Sequence, residues 1–316
     1  MKIVVLDGYT TTGEDLDWKE FEKLGDFVYY DRTSYEEVEH RAKDADIIID
    51  NKVILDKNIL EKLPNLKYIG LLSTGYNVVD LEYTKSKGIP VTNIPDYSTK
   101  SVAQLTFAFI LELAMGVGKH SMSVAQGDWT RCKDFCYRVQ DITELDKKTI
   151  GLVGYGTIAK EVAKIAKAFG MNVLAYRRSK TSDDIATMTE LDELYAKSDI
   201  ISLHCPINKQ SEKMINKDAI AKMKDGVRII NTARGGVVDE DAVRKALDSG
   251  KIGGYGADVL SVEPPKATNP LLGAKRCYIT PHIAWASKEA RSRLMNIALE
   301  NLKGFLQGDI KNRVNL

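Results

Sequence analysis

Ten residues near the middle of the chain, Ile150-Gly151-Leu152-Val153-Gly154-Tyr155-Gly156-Thr157-Ile158-Ala159, restrict its fold more than any other segment. An apolar strand runs into a glycine-rich turn and out into a helix. Gly154 permits the tight turn, Gly156 lets the backbone approach a phosphate, and the small Ala159 in third place allows the helix to pack on the strand. The helix start at Thr157 and Ile158 offers unpaired N–H groups and a partial positive charge to a pyrophosphate. A second strand follows at 172–176. The segment is therefore read as a dinucleotide site, with Gly154, Tyr155, Gly156, Thr157 and Ile158 against the cofactor.

The pattern on either side is α/β. Beyond the turn, strands are expected at 150–153, 172–176, 200–203, 228–231 and 255–259, with a sixth at 278–280, and helices at 158–169, 191–196, 218–223 and 240–247. The first third repeats this alternation, with strands at 2–6, 27–30, 46–50 and 68–72 and helical segments at 34–43 and 56–63. Strands that alternate with helices pair in parallel, because the crossover needs that length. At 316 residues the chain exceeds what one core serves. The expected architecture is two doubly wound domains. A smaller, flavodoxin-like substrate domain spans 1–98 and is completed by 288–316; a Rossmann-type dinucleotide-binding domain spans 99–287. The helix 288–306, with Leu294, Ile297, Ala298 and Leu302 on its apolar side, packs back on the first unit.

A long helix at 101–115, capped by Ser98 or Thr99, is apolar around most of its circumference and must be buried in a core or a subunit interface. After it, 127–146 carries Trp129, Phe135 and Tyr137 among charges without clean periodicity. This reads as an irregular arm, and a partner subunit would cover its aromatics, so a homodimer is expected.

Charge excludes several function classes. Forty-five basic and 44 acidic residues leave a net charge of +1, which gives no general attraction for nucleic acid or an anionic membrane. The apolar run at the start is broken by Asp7, and 105–115 contains Glu112 and is too short to span a bilayer. Cys132, Cys136, Cys205 and Cys277 lack the spacing of a zinc site, so no metal is expected. Read as free thiols, they fit a reducing, cytoplasmic compartment.

The end of the second strand after the turn bears on cofactor choice. An acidic residue there would bind the ribose 2′-hydroxyl of NAD. The chain instead has Arg177-Arg178-Ser179, two cations and a hydroxyl suited to a 2′-phosphate, so NADP(H) is favoured over NAD(H). Asp183 and Asp184, beyond this turn, remain as alternative ribose ligands. Cys205 and Pro206, after the strand 200–203, are expected at the cofactor, with His204 shaping its cleft.

Of four histidines, His40 and His120 are expected at the surface. His282, in Thr280-Pro281-His282-Ile283-Ala284-Trp285, follows a strand at the carboxyl edge, where open α/β sheets bind ligands. Asn231-Thr232-Ala233-Arg234-Gly235-Gly236 and Asp258-Val259-Leu260-Ser261-Val262-Glu263-Pro264-Pro265 end two other strands, so the three motifs can converge. Hydride delivery to a ketone builds negative charge on oxygen, which a positioned acid must neutralise. Histidine exchanges protons near neutral pH, a neighbouring carboxylate fixes its ring, and an arginine grips a planar carboxylate.

In this order, the motifs resemble the D-isomer-specific 2-hydroxyacid dehydrogenase family across nearly the whole chain. The resemblance implies reduction of a small 2-oxo acid with His282 as proton donor, Glu263 as its partner and Arg234 as the substrate-binding arginine. It places Asp258 at the nicotinamide carboxamide and Thr232, Ala233 and Ala284 along the cofactor. It also assigns the substrate carboxylate to backbone N–H groups of a loop matched by Ser73-Thr74-Gly75. Residues 73–80 and 282–285 look most like the glycerate dehydrogenase or hydroxypyruvate/glyoxylate reductase branch. Where many members carry an acidic residue, this chain has Arg177. The rival reading is a dinucleotide-sensing, corepressor-like interaction protein on the same scaffold.

Overall fold

The computed structural model describes residues 1–179 and 182–316, in two compact units: Met1–Ser98 with Ala286–Leu316, and Thr99–Trp285. In the first, β1 (Lys2–Val5), β2 (Asp26–Tyr29), β3 (Ile47–Asp50), β4 (Tyr68–Leu71) and β5 (Val91–Thr92) form a parallel sheet in the order β2-β1-β3-β4-β5. Every residue of β3 and β4 is buried. That is the mark of a parallel sheet covered on both faces, and it explains the unbroken Ile47-Ile48-Ile49 run. The helix Lys288–Gln307 packs here, burying Leu294, Ala298 and Leu302 and stacking Phe305 on Tyr68 with ring centroids 4.5 Å apart.

The two-residue β5 was not visible in the sequence pattern. Residues from the far end of the chain hold it: Val91 N–H donates to Asn315 Oδ1, 3.0 Å, and Val314 N–H donates to Val91 O, 2.8 Å. The Asn315 amide also donates to Thr84 Oγ1 and to Ile89 O.

In the second unit, β6 (Thr149–Val153), β7 (Asn172–Tyr176), β8 (Thr187–Met188), β9 (Ile200–Leu203), β10 (Val227–Asn231), β11 (Ile252–Ala257) and β12 (Cys277–Ile279) are parallel. Their order is β12-β11-β10-β9-β6-β7-β8. Strand order reverses between β6 and β9, so the glycine turn leaves β6 at the switch point, where such sheets bind ligands.

Strand β11 departs from the expected 255–259. It begins at Ile252 and ends at Ala257, and Gly253, Gly254 and Gly256 disguise it, because glycine weakens strand propensity. The glycines have a steric purpose. A Cβ on Gly254 would lie 2.4 Å from Leu113 Cδ2, and one on Gly256 would lie 2.8 Å from Phe109 Cβ. Both partners belong to the helix Thr99–Met115, which seats on the bare strand and is buried in this unit's core. A second helix, Val117–Ala125, was also unread; it precedes the irregular arm. Among the described residues no single helix is long and apolar enough to cross a membrane.

Candidate active site

Gly154 adopts φ +89°, and a Cβ there would meet Cys205 N at 2.7 Å and His204 O at 2.8 Å. Glycine is thus required by the fold itself at this position. Gly156 differs: its φ is −100°, and among the described residues other than its own chain neighbours no atom lies within 4 Å of where its Cβ would be. Nothing in the protein demands glycine here, and the open space before the helix Thr157–Ala168 suits a phosphate approaching the backbone. The residues present therefore fit a dinucleotide.

Beside this turn is a cleft of about 370 Å³ lined by Gly154, Tyr155 and Gly156 and by Arg177, Arg178 and Ser179, with Cys205 and Pro206 on the other side. His204 also lines it, its Nε2 within 2.9 Å of Ser202 Oγ, and burial pushes the imidazole down to about 4. Tyr176, Leu191, Asn208, Gln210, Ser211 and Met214 complete the wall, and no carboxylate is among them. Sequence reasoning missed these; the turn Pro206-Ile207-Asn208 right after β9 was the available signal. Gln210 Oε1 accepts a 3.1 Å bond from Arg178. Asp183, the alternative ribose ligand, is committed elsewhere. It accepts from Tyr155 Oη at 2.8 Å and from the N–H groups of Ile185 and Ala186, and it lies 3.5 Å from Lys160 Nζ. Asp184 does not line the cleft either.

The second constellation is built by β10, β11 and β12, consecutive neighbours whose ends are in register at Asn231↔Ala257 and Ala257↔Ile279. A Cβ on Gly235 would lie 1.9 Å from the carbonyl carbon of Leu260, so the Arg234 loop rests directly on the next one. Leu260 N–H donates to Glu263 Oε1, 2.9 Å, and Glu263 Oε2 is 2.6 Å from His282 Nδ1. Arg234, Glu263 and His282 are thereby linked through one continuous set of contacts. Arg234 is exposed, and its guanidinium also reaches Ala233 O at 2.7 Å. The histidine ring is about one-third exposed. With Nδ1 turned to the carboxylate, Nε2 is the nitrogen available to a substrate.

His282 sits at φ +54°, in the left-handed region that residues other than glycine seldom enter and that local hydrogen bonds must hold. Asp258 sustains it. This residue is 1% exposed, and its carboxylate accepts from Thr280 Oγ1, Ile283 N–H and Ala284 N–H at 2.6–2.8 Å, while its carbonyl accepts His282 N–H. Burial raises the Asp258 carboxyl above its ordinary range, and these hydrogen bonds oppose the shift. The long helix contributes two groups that the sequence did not reveal. Ser101 Oγ donates to Ala284 O, 2.5 Å, and Thr106 Oγ1 is 3.0 Å from Thr232 Oγ1. Polar residues on an otherwise apolar helix were the signal. Thr232, Ala233, Asp258 and Ala284 all belong to this second constellation, and none lines the cleft at Arg177.

In the other unit, Ser73, Thr74 and Gly75 follow β4. Ser73 Oγ donates to Gly75 O, and Thr74 Oγ1 donates to Ile94 O. Among the described residues nothing accepts a hydrogen bond from the Thr74 or Gly75 N–H.

Residues 107–284 match the sequence model described as D-isomer specific 2-hydroxyacid dehydrogenase, NAD binding domain. The chain belongs to the D-isomer specific 2-hydroxyacid dehydrogenase family. It is 50% identical to the hydroxypyruvate reductase of Blautia hydrogenotrophica, over 100% of both chains. Among solved structures it resembles an acyclic imino acid reductase in complex with NADPH and D-Arg (TM-score 0.88, 32% identity, covering 99% of this chain and 100% of that one). It also resembles the D-lactate dehydrogenase of Aquifex aeolicus complexed with NAD and lactic acid (TM-score 0.84, 35% identity, 100% and 99%). This D-2-hydroxyacid dehydrogenase thus has relatives that hold either nicotinamide dinucleotide.

Proposed function

We propose that the chain reduces a small 2-oxo acid, hydroxypyruvate or glyoxylate before others, to its D-2-hydroxy acid, with NADP(H) preferred over NAD(H). The observation that carries this reading is the His282–Glu263 pair, 2.6 Å apart at the carboxyl edge of the sheet that bears the dinucleotide turn. Identity of 50% to a hydroxypyruvate reductase supports the substrate class.

In this mechanism a bound nicotinamide supplies the hydride to C2. Arg234 pairs with the substrate carboxylate, and in the other unit the Thr74 and Gly75 N–H groups are donors suited to a carboxylate. His282 gives a proton from Nε2 to the oxygen as charge develops there, and Glu263 holds Nδ1 and stabilises the cationic ring. Thr232, Ala233, Asp258 and Ala284 flank the nicotinamide end. Arg177, Arg178 and Ser179 take the 2′-phosphate, supported by two guanidinium groups and no carboxylate among the described residues that line that cleft. Steady-state kinetics over hydroxypyruvate, glyoxylate and pyruvate, each with NADPH and NADH, test both parts. Higher kcat/KM with NADH removes the cofactor preference; no turnover with any 2-oxo acid removes the enzyme reading.

The arm beyond the long helix we assign to a homodimer interface with a second copy of this chain. Val117 is 65% and Phe135 88% exposed. Gln140 Nε2, Arg228 Nε and Arg276 Nε are buried without a hydrogen-bond partner among the described residues. They sit at the arm's base: Arg228 bonds Thr143, Arg276 bonds Leu113 O, and Lys119 lies over the Tyr278 ring. Four free cysteines are consistent with a reducing, cytoplasmic compartment.

A further inference from the structure

At the carboxyl edge of the first unit, the ends of β1 and β3 bring two carboxyl groups together. Asp7 Oδ1 accepts Asn51 N–H and its Oδ2 accepts Lys52 N–H, each at 2.8 Å. Asp50 is fully buried, and its Oδ1 accepts Val53 N–H at 3.2 Å. One turn, Asn51-Lys52-Val53, thus hangs by three consecutive amides from two acidic side chains. Asp50 Oδ2 is buried and meets no N–H or O–H donor. Asp7 lies across the β1–β3 pair from it, where Leu6 N–H donates to Ile49 O and the two acids divide the consecutive amides of one turn. Two carboxylates gathered on one turn in a buried setting repel unless they share a proton.

We propose that Asp7 and Asp50 share one proton, and that this acid–carboxylate pair positions the Asn51-Lys52-Val53 turn for substrate binding. The turn adjoins the Ser73 loop, since β3 pairs with β4 through Asp50↔Leu71, and Leu72 N–H donates to Asp50 O at 2.7 Å. This inference rests on the reading of that edge as substrate-binding.

The electrostatics agree with the geometry. Burial pushes the Asp50 carboxyl well above the carboxylate range, and the Asp7 charge adds to the shift. Burial raises Asp7 as well, against the pull of the Asn51 and Lys52 amides. Lys52, on the turn itself, is the charged group acting on both. From the terminal helix, Arg291 bonds Thr11 O, Thr12 O and Asp15, close in sequence to Asp7. On β4, Leu71 and Leu72 carry no charge.

The consequence for pH follows from proton counting. Between the ordinary carboxylate range and the raised value of Asp50, the folded chain holds a proton that the unfolded chain has released. Stability from this group is complete in acid and falls as pH rises through the window. Asp50→Asn keeps an N–H donor toward Asp7 and has no proton to lose. Its folding equilibrium constant, relative to the unaltered chain, is expected to rise about tenfold per pH unit through that window. The KM of the unaltered enzyme for its 2-oxo acid should climb where the pair loses its proton, while that of Asp50→Asn stays flat. Asp7→Asn, which sets an amide N–H against a backbone N–H, should raise KM on the order of tenfold with little change in kcat.

Chemical denaturation across pH and initial-rate kinetics on both variants read these outcomes. Parallel stability profiles for Asp50→Asn and the unaltered chain overturn the shared proton. A KM that climbs alike in both, or an unchanged KM in folded Asp7→Asn, overturns the positioning role. Failure of the enzyme reading is distinct: the unaltered chain then turns over no 2-oxo acid, and the denaturation profiles still decide the shared proton.

Discussion

At the scale of single residues, the histidine proposed as proton donor has its backbone held by a carboxylate, Asp258, that takes no part in the proposed proton transfer. His282 faces Glu263 with its ring, while its left-handed backbone is pinned by the bonds that Asp258 makes on either side of it. His282 and Asp258 therefore fail differently when replaced. His282→Gln removes the acid and should lower kcat by roughly 10²–10⁴-fold with the Kd for NADPH nearly unchanged. Asp258→Asn turns an amide donor toward the N–H of Ala284, releases the strained turn, and should lower kcat on the order of tenfold or more while reducing Tm. Fluorescence titration with NADPH beside steady-state rates separates the two; unimpaired turnover by His282→Gln would end the assigned role. His204 illustrates burial without catalysis. It stays neutral when folded, down to about 4, whereas an unfolded histidine takes a proton near ~6.5. Stability should thus fall as pH drops from about 6.5 to about 4, by on the order of 1 kcal/mol per pH unit, and level off below. Acid denaturation of His204→Gln, which lacks this loss, is the comparison.

At the scale of elements, two glycines in one turn have separate causes, and substitution can tell them apart. Gly154→Ala forces a Cβ into the Cys205 backbone at a positive φ and should cost about 1–3 kcal/mol of stability. Gly156→Ala meets only open space, so Tm should hold while KM for the cofactor rises. Equal Tm losses in both would show that the second glycine serves packing. The same contrast explains what the sequence revealed. Strands such as β3 and β6 announce themselves because burial on both faces demands unbroken apolar runs. The first half of β11 hid because three of the strand's residues are glycines, Gly254 and Gly256 leaving room for a helix elsewhere in the chain and Gly253 for the Gly226 carbonyl. Short β5 and β8 are held by non-local partners and leave no periodic trace. At the site, the meeting of the Arg234, Glu263 and His282 loops was legible because all three follow strand ends at one edge of the sheet. Ser101 and Thr106 were not, since their value lies in reaching Ala284 and Thr232, which only the folded helix supplies.

At the scale of the whole molecule, the exposed arm predicts assembly. Phe135→Glu or Val117→Asp places a charge where a second copy is proposed to sit, and light scattering should then report half the mass of the unaltered protein. Unchanged mass in both variants would move the interface elsewhere. Another consequence concerns the order in which the chain is made. The strand β5 is stitched by Val314 and Asn315, yet Thr99–Trp285 is synthesised in between. A nascent first unit therefore emerges from the ribosome with its sheet edge open and its covering helix still untranslated, while the dinucleotide unit can already close around its own core. Truncation just after Trp285 leaves the first unit half-built while the dinucleotide unit is complete, and proteolysis of that product should leave a protected fragment near Thr99–Trp285.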